Sequence, residues 1–185
     1  MNQSPKTKLI IQLTLIFLAA ALLILLDQWT KQLAETLLVP GQIKVLLNFG
    51  PLGDVCQLQL VRNSGAFLSL GAGLVGGMRP ILMIVVPLIA LAAILFVLLQ
   101  PFWKPAAKPV PMSIKIALGL ILAGGSNIID RIFRGEVTDF LNFGISSLRT
   151  GIMNIADLYI AAAIVVLLIA TLRSRKAPTK DPAQP

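Results

Sequence analysis

Residues 153–172 read MNIADLYIAAAIVVLLIATL, and this stretch decides what kind of molecule the chain forms. After Asp157, the run LYIAAAIVVLLIA contains no charge, proline or glycine. Together with its apolar flanks it spans Ile152–Leu172, matching the roughly 20 apolar residues that a helix needs to cross a hydrocarbon core. The segment reads as a membrane span with one carboxylate near its start.

Three further stretches have the same character: Leu9–Leu26, Ile81–Leu99 and Met112–Ile129. The third is the most polar, with Ser113 and Lys115 at its start and Gly119, Gly124 and Gly125 inside it. Small residues of that kind mark close helix packing in membranes. The first run is longer than a cleaved signal peptide's apolar region and is followed by Asp27-Gln28, so it is expected to stay as a helix. Composition agrees: of 185 residues 56% are hydrophobic and only 13% charged, far from the usual balance of a soluble domain.

The net charge of +8 fits membrane headgroups better than nucleic acid in so apolar a chain. Lys6 and Lys8, then Lys104, Lys108 and Lys115, then Arg173, Arg175, Lys176 and Lys180 cluster in three stretches that share only Asp181 as an acid. The other carboxylates, Asp27, Glu35, Asp54, Asp130, Glu136, Asp139 and Asp157, fall in the alternate segments. By the positive-inside rule both termini are cytoplasmic and the acids lie at the outer face. Residues 1–175 form one domain, and 176–185 a disordered cytoplasmic tail.

Between the first two spans, IKVLLNFG and VCQLQLVRN have the alternation of short strands around a PLGD turn, and Asn63-Ser64-Gly65 is a further turn signal. A small sheet over about residues 40–70, resting on the membrane, is expected, with Gly71, Gly73, Gly76 and Gly77 as a flexible approach to Arg79-Pro80 and the second span. The fold class is therefore membrane all-α: four transmembrane helices with a small extracytoplasmic β-sheet and a periplasmic-side helical loop. The Pro-rich PFWKPAAKPVP separates the second and third spans. Trp29 and Trp103 fit an interfacial belt.

Asp27, Asn127, Asp130 and Asp157 all fall at span ends on one interface. Ionisable groups at such depth face the bundle interior and serve a purpose. The structural readings are concrete: Asp27 ends its helix and pairs with Lys31 four residues on, Asp130 pairs with Arg131, Glu136 pairs with Arg134, and Asn63, Asn127 and Asn154 cap helices or make turns. The chain has no His, and its lone Cys56 has no cysteine partner, so neither a zinc constellation nor an internal disulfide is indicated and no cofactor is expected. Carboxylates remain as general acids and bases. Asp139 and Asp157 flank the 140–156 connection, and two carboxylates held close share a proton, so one can activate water while the other protonates a carbonyl oxygen. Proton, cation or lipid binding without catalysis uses such acids too.

Five stretches in order, DQWTK at 27–31, RNSGAF at 62–67, GGSNIIDR at 124–131, GEVTDF at 135–140 and MNIAD at 153–157, resemble the lipoprotein signal peptidases, or signal peptidase II. The resemblance implies an aspartic endopeptidase of the bacterial inner membrane that cuts diacylglyceryl-modified prolipoproteins before the lipidated cysteine. It matches Asp139 and Asp157 to the catalytic pair. Asp27, Asn63, Gly65, Asn127, Arg131 and Asn154 match residues that line the site, with Asp130 organising Arg131 and Lys31 joining the supporting set through Asp27. The loop at Gly71–Gly77 would act as a lid. Substrate prolipoprotein and membrane phospholipid are the implied partners, nucleic acid is not, and the chain is expected to act as a monomer. Ser126 and Met153 stand where the family commonly has glycine and phenylalanine.

Overall fold

The computed structural model describes residues 4–65, 78–104 and 109–175; the expected lid at Gly71–Gly77 and the tail at 176–185 lie outside them. Helix α1 is Pro5–Leu37. It begins on Ser4, whose Oγ accepts from Thr7 N at 3.2 Å, and Pro5 occupies its first turn. No proline or glycine interrupts it before Pro40. At 1.5 Å per residue its length is about 50 Å, against a hydrocarbon core of about 30 Å, so α1 projects well past one face. Asp27 therefore does not end the helix, as the sequence reading had it; the chain continues helical for ten further residues to Leu37. Propensity explains this, because DQWTKQLAETL holds no helix breaker.

The second span starts with the single turn α2, Met78–Pro80, passes through a π turn at Ile81–Val85 and continues as α3, Val86–Leu99. Pro87 explains the wide turn: it has no N–H and its ring crowds the carbonyl four residues back, and Val86 N reaches instead to Ile81 O. Helices α4, Met112–Gly124, and α5, Ser126–Arg134, form the third span, which runs past the expected end at Ile129. They join at Gly125, whose N–H is shared between Ile121 O and Leu122 O, both at 3.1 Å. The fourth span is α6, Ile155–Arg175. All four are long and apolar enough to cross a membrane.

Helix α4 is the centre of the bundle, packed against α1, α3 and α6. Its glycines permit this. A Cβ at Gly119 would lie 2.8 Å from Ile16 Cγ2, and one at Gly124 would lie 2.4 Å from Ile160 Cγ1 and 3.3 Å from Ala156 O. Backbones thus approach where side chains are missing.

Strands β1, Lys44–Asn48, β2, Asp54–Asn63, β3, Val137–Ile145, and β4, Leu148–Arg149, form an antiparallel sheet in that order. The first two were legible in the sequence. The 140–156 connection, in which no strand was expected, instead carries most of β3 and all of β4. Gly135, at φ 75°, ends α5 in the left-handed conformation and turns the chain straight into β3. Ala34 and Leu38 from the projecting end of α1 pack against Cys56, Phe140 and Leu141 of the sheet. The overhang of α1 is thus the post on which the sheet rests.

Replacing Gly124 with valine is expected to force α6 away from α4 and cost about 1–3 kcal/mol. A thermal-unfolding series in detergent should show a lowered midpoint for Gly124→Val and a smaller drop for Gly124→Ala.

Candidate active site

The site forms where four pieces of chain meet at one depth: the middle of α1, the α4–α5 junction, strand β3 and the start of α6. Asp139 is placed by sheet register. It lies opposite Val61, while Asn63 lies opposite Val137, so Asn63 and Asp139 are diagonal neighbours on one face. Asn63 Nδ2 donates to Asp139 Oδ2 at 2.8 Å.

Asp157 is placed by a helix cap. Asn154 precedes α6, and its Oδ1 accepts from Asp157 N at 3.2 Å while Asp157 Oδ2 accepts from Asn154 N at 3.1 Å. This is a reciprocal capping box in which Asn and Asp replace the usual Ser/Thr and Glu. The residue before the cap is held to the sheet: Met153 O accepts from Phe140 N at 2.9 Å and Leu141 N at 2.8 Å, and Met153 N donates to Leu141 O at 2.8 Å. That bridge brings the cap beside Asp139. Asn154 Nδ2 then donates to Asp139 Oδ1 at 2.6 Å and to Asn127 Oδ1 at 3.0 Å. One buried amide therefore contacts both aspartates, and all its donors and its oxygen are engaged.

Lys31 organises the other flank. Its ammonium has three protons, and it has three acceptors: Asp27 Oδ2 at 2.7 Å, Asp130 Oδ2 at 2.6 Å and Asn127 Oδ1 at 2.7 Å. All three charged residues are at most 1% exposed. With two donors converging on Asn127 Oδ1, the Asn127 amide can only turn its Nδ2 outward, where it donates to Asp157 Oδ1 at 3.0 Å. Asp27 Oδ1 accepts from Ala156 N at 2.9 Å, tying α1 directly to the first turn of α6. Arg131 reaches Gly65 O at 2.7 Å, which anchors the end of the β2 loop, while Gly65 N donates to Asn63 Oδ1 at 2.9 Å.

Burial first, and the charge of Asp157 after it, raise the Asp139 carboxyl to about 6 against the hydrogen bonds from Asn63 and Asn154 and the charge of Lys31. The carboxyl thus titrates near neutrality. Among the described residues no group of three or more His, Cys, Asp or Glu side chains is placed to hold a metal ion.

Asp157, Asn127 and Arg131 stand at one end of a cavity of about 370 Å³ between the second and fourth spans. Its remaining lining is apolar, with Met83 and Leu91 on one wall, Ile160 and Ile164 on the other and Gly124 and Ile128 at its floor. The cavity can take an apolar chain while presenting its attached polar group to the carboxylates.

Every residue expected at the site, Asp27, Lys31, Asn63, Gly65, Asn127, Asp130, Arg131, Asp139, Asn154 and Asp157, belongs to this one connected set. Two expected pairings differ. Asp130 turns to Lys31 and accepts from Gln28 Nε2 at 3.1 Å, leaving Arg131 to carbonyls of Gly65 and Asn127. Successive residues on a helix point about 100° apart, so adjacency in sequence does not pair them. Arg134 binds Glu35 at 2.7 Å, and Glu136 instead approaches Arg62 at 3.8 Å. Sequence reading noted Ser126 only as a departure from the family pattern and gave Glu35 no role at the site; Ser126 Oγ donates to Asp27 Oδ2 at 2.7 Å, and Glu35 accepts from Thr138 Oγ1 at 2.6 Å. The spacing of Asp27, Lys31 and Glu35, four apart on α1, was the available signal.

The pattern of the family described as signal peptidase (SPase) II matches residues 19–173. The chain belongs to that family. It is similar to the lipoprotein signal peptidase of Borrelia hermsii, 35% identical over 164 residues covering 85% of this chain and 89% of the relative. The lipoprotein signal peptidase of Chlorobium phaeobacteroides is 36% identical over 165 residues, covering 84% and 94%. That of Halalkalibacterium halodurans is 31% identical over 166 residues, covering 89% and 96%. A bacterial membrane enzyme solved by the in meso method at 2.3 Å matches with a TM-score of 0.70 at 25% identity, over 92% of this chain and 95% of that one. Signal peptidase II membership and four apolar helices make this a multi-pass bacterial membrane peptidase.

Within this signal peptidase II fold, Lys31→Met is expected to leave two buried carboxylates facing each other and to cost about 3–5 kcal/mol. Chemical denaturation in detergent should show that loss, and the double variant Lys31→Met with Asp130→Asn should recover part of it.

Proposed function

We propose that this peptidase is of the aspartic type and removes the signal peptide from diacylglyceryl-modified prolipoproteins, cutting just before the lipidated cysteine. Asp139 and Asp157 are the catalytic residues. The observation that carries this reading is that one residue holds both carboxylates: Asn154 donates to Asp139 Oδ1 through its side-chain amide and to Asp157 Oδ2 through its backbone N–H, and Asp157 stands at the end of an apolar cavity.

The chemistry follows from that pairing. One carboxylate takes a proton from water as the water oxygen attacks the scissile carbonyl carbon, while the protonated partner gives its proton to the carbonyl oxygen. The tetrahedral intermediate collapses when the C–N bond breaks: the first carboxyl gives the departing cysteine nitrogen the proton it took from water, and the second carboxylate takes a proton back from a hydroxyl of the intermediate. A carboxyl held near neutrality is suited to exchange protons in both directions. Asn63, Asn127 and Asn154 act as positioning residues that aim the carboxylates. Arg131 anchors Gly65 at the end of β2, and Asp27, Lys31 and Asp130 keep Asn127 in its one useful orientation.

The substrate's two natures suit the architecture. Its acyl chains remain among the apolar side chains of Leu91, Ile160 and Ile164, while the peptide reaches the sheet end of the bundle. Burying acyl methylenes is favourable by about 0.8 kcal/mol each. The distribution of Lys and Arg supports an extracytoplasmic site with both termini in the cytoplasm, and the reading includes surrounding phospholipid and a monomeric chain.

Purified protein given a diacylglyceryl-modified prolipoprotein is expected to release the signal peptide. Asp139→Asn and Asp157→Asn should each lower turnover by at least about 10³-fold at matched folded yield, a loss of the size seen when a proton-transferring group is removed. Turnover by either variant at the wild-type rate would sink the dyad. A non-enzymatic proton-binding role would instead leave the wild type inert on this substrate.

The pH–rate profile provides a separate check. Hydrogen bonding from Asn63 stabilises ionised Asp139, so its removal favours the protonated form. Asn63→Ala should move the limb of the profile found near 6 to higher pH, with the apparent value belonging to the coupled pair.

A further inference from the structure

At the end of the bundle opposite the aspartates, Lys115 is buried, with 6% of its surface exposed. Gln12 lies 15 residues before Asp27 on α1, or about 22 Å along the helix. Lys115 Nζ donates to Gln12 Oε1 at 2.8 Å, bridging α4 to α1. Among the described residues no carboxylate pairs with it. This contrasts with Lys31, whose charge is balanced twice over. A cation buried with one neutral partner is unfavourable unless something anionic completes the site.

Two neighbouring features indicate what completes it. An apolar groove of about 250 Å³ runs along the same α1–α4 seam, with Leu15, Ile16 and Leu23 on one side and Met112, Ile116 and Leu120 on the other. Ile16 is one turn after Gln12, and Met112 and Ile116 lie three residues before and one after Lys115, so the groove starts within about a turn of the Gln12–Lys115 bridge. The first turn of α4 lies there too, and its N-cap, Pro111, makes no side-chain bond to its free N–H groups. Exposed Lys8 precedes Gln12 by one turn, adding positive charge at the same end.

We infer that this seam is a binding site for an anionic phospholipid, distinct from the catalytic cavity. The lipid phosphate pairs with Lys115 beside the first turn of α4, and an acyl chain lies in the groove over Leu15, Ile16, Ile116 and Leu120. Basic pockets between transmembrane helices recognise anionic headgroups in this way. A zwitterionic lipid fills the groove equally well but brings its own cation to the phosphate, so charge is what selects the occupant.

The test is thermal unfolding of the full chain in detergent, followed by tryptophan fluorescence, with added phosphatidylglycerol or phosphatidylcholine at equal mole fraction. Phosphatidylglycerol is expected to raise the midpoint by about 3 °C or more over phosphatidylcholine, by mass action on the folded state. Lys115→Gln should abolish that difference and raise the midpoint in phosphatidylcholine, because the uncompensated cation is gone. Lys115→Arg should keep the difference, and Ile116→Trp, which fills the groove at an exposed position, should reduce it. The proposal fails if Lys115→Gln lowers the midpoint equally in both lipids, since the lysine is then only a structural partner of Gln12. It fails equally if the phosphatidylglycerol advantage survives Lys115→Gln, or if inorganic phosphate alone reproduces the whole effect.

Discussion

The buried ammonium of Lys31 is the interaction on which the rest of the site depends. An isolated charge cannot be held in so dry a place, and the chain meets that constraint with two carboxylates and an amide oxygen, each within 2.7 Å. Those three partners come from α1 and α5, so satisfying one cation fixes how the first and third spans meet. The consequence reaches the chemistry through Asn127. Its oxygen is claimed by Lys31 and Asn154, which leaves its NH₂ aimed at Asp157.

The second organising element is the overhang of α1. A helix of about 50 Å cannot be contained in a hydrocarbon layer of about 30 Å, and its excess becomes a support for the sheet. Ala34 and Leu38 supply the contact, and Glu35 adds bonds to Arg62, Arg134 and Thr138. Partly exposed ion pairs of that kind contribute little singly. Their effect is to hold β3 in the orientation that presents Asp139 inward. Strand register on one side and a helix cap on the other then bring two carboxylates to one amide.

Close packing at Gly119 and Gly124 serves the same end. With α1 and α6 drawn tightly onto α4, an apolar cavity remains between α3 and α6, and it ends at Asp157. The π turn before Pro87 lies in the wall of that cavity. Rigid contacts at α4 beside an apolar cavity suit the proposed role, in which the carboxylates stay fixed while a lipid-linked chain enters.

Much of this was determined by sequence alone. Uninterrupted apolar runs have no stable alternative to spanning a membrane, so four spans were legible from composition and length. The strands at 44–48 and 54–63 were legible from alternation and turn residues, and the acids and asparagines stood out because polar groups are rare in such a chain. What only the tertiary structure decided was pairing. β3 and β4 were hidden because VTDFLNFGI is stabilised by partners 80 residues away in β2, and long-range pairing leaves no local period. The length of α1 was missed because the polar Asp27-Gln28 pair read as the end of the span, although DQWTKQLAETL holds no helix breaker. Asp130 and Arg134 took distant partners, Lys31 and Glu35, over their neighbours in sequence for the same reason: hydrogen-bonding groups are satisfied by what surrounds them in three dimensions, and a helix points adjacent residues in different directions.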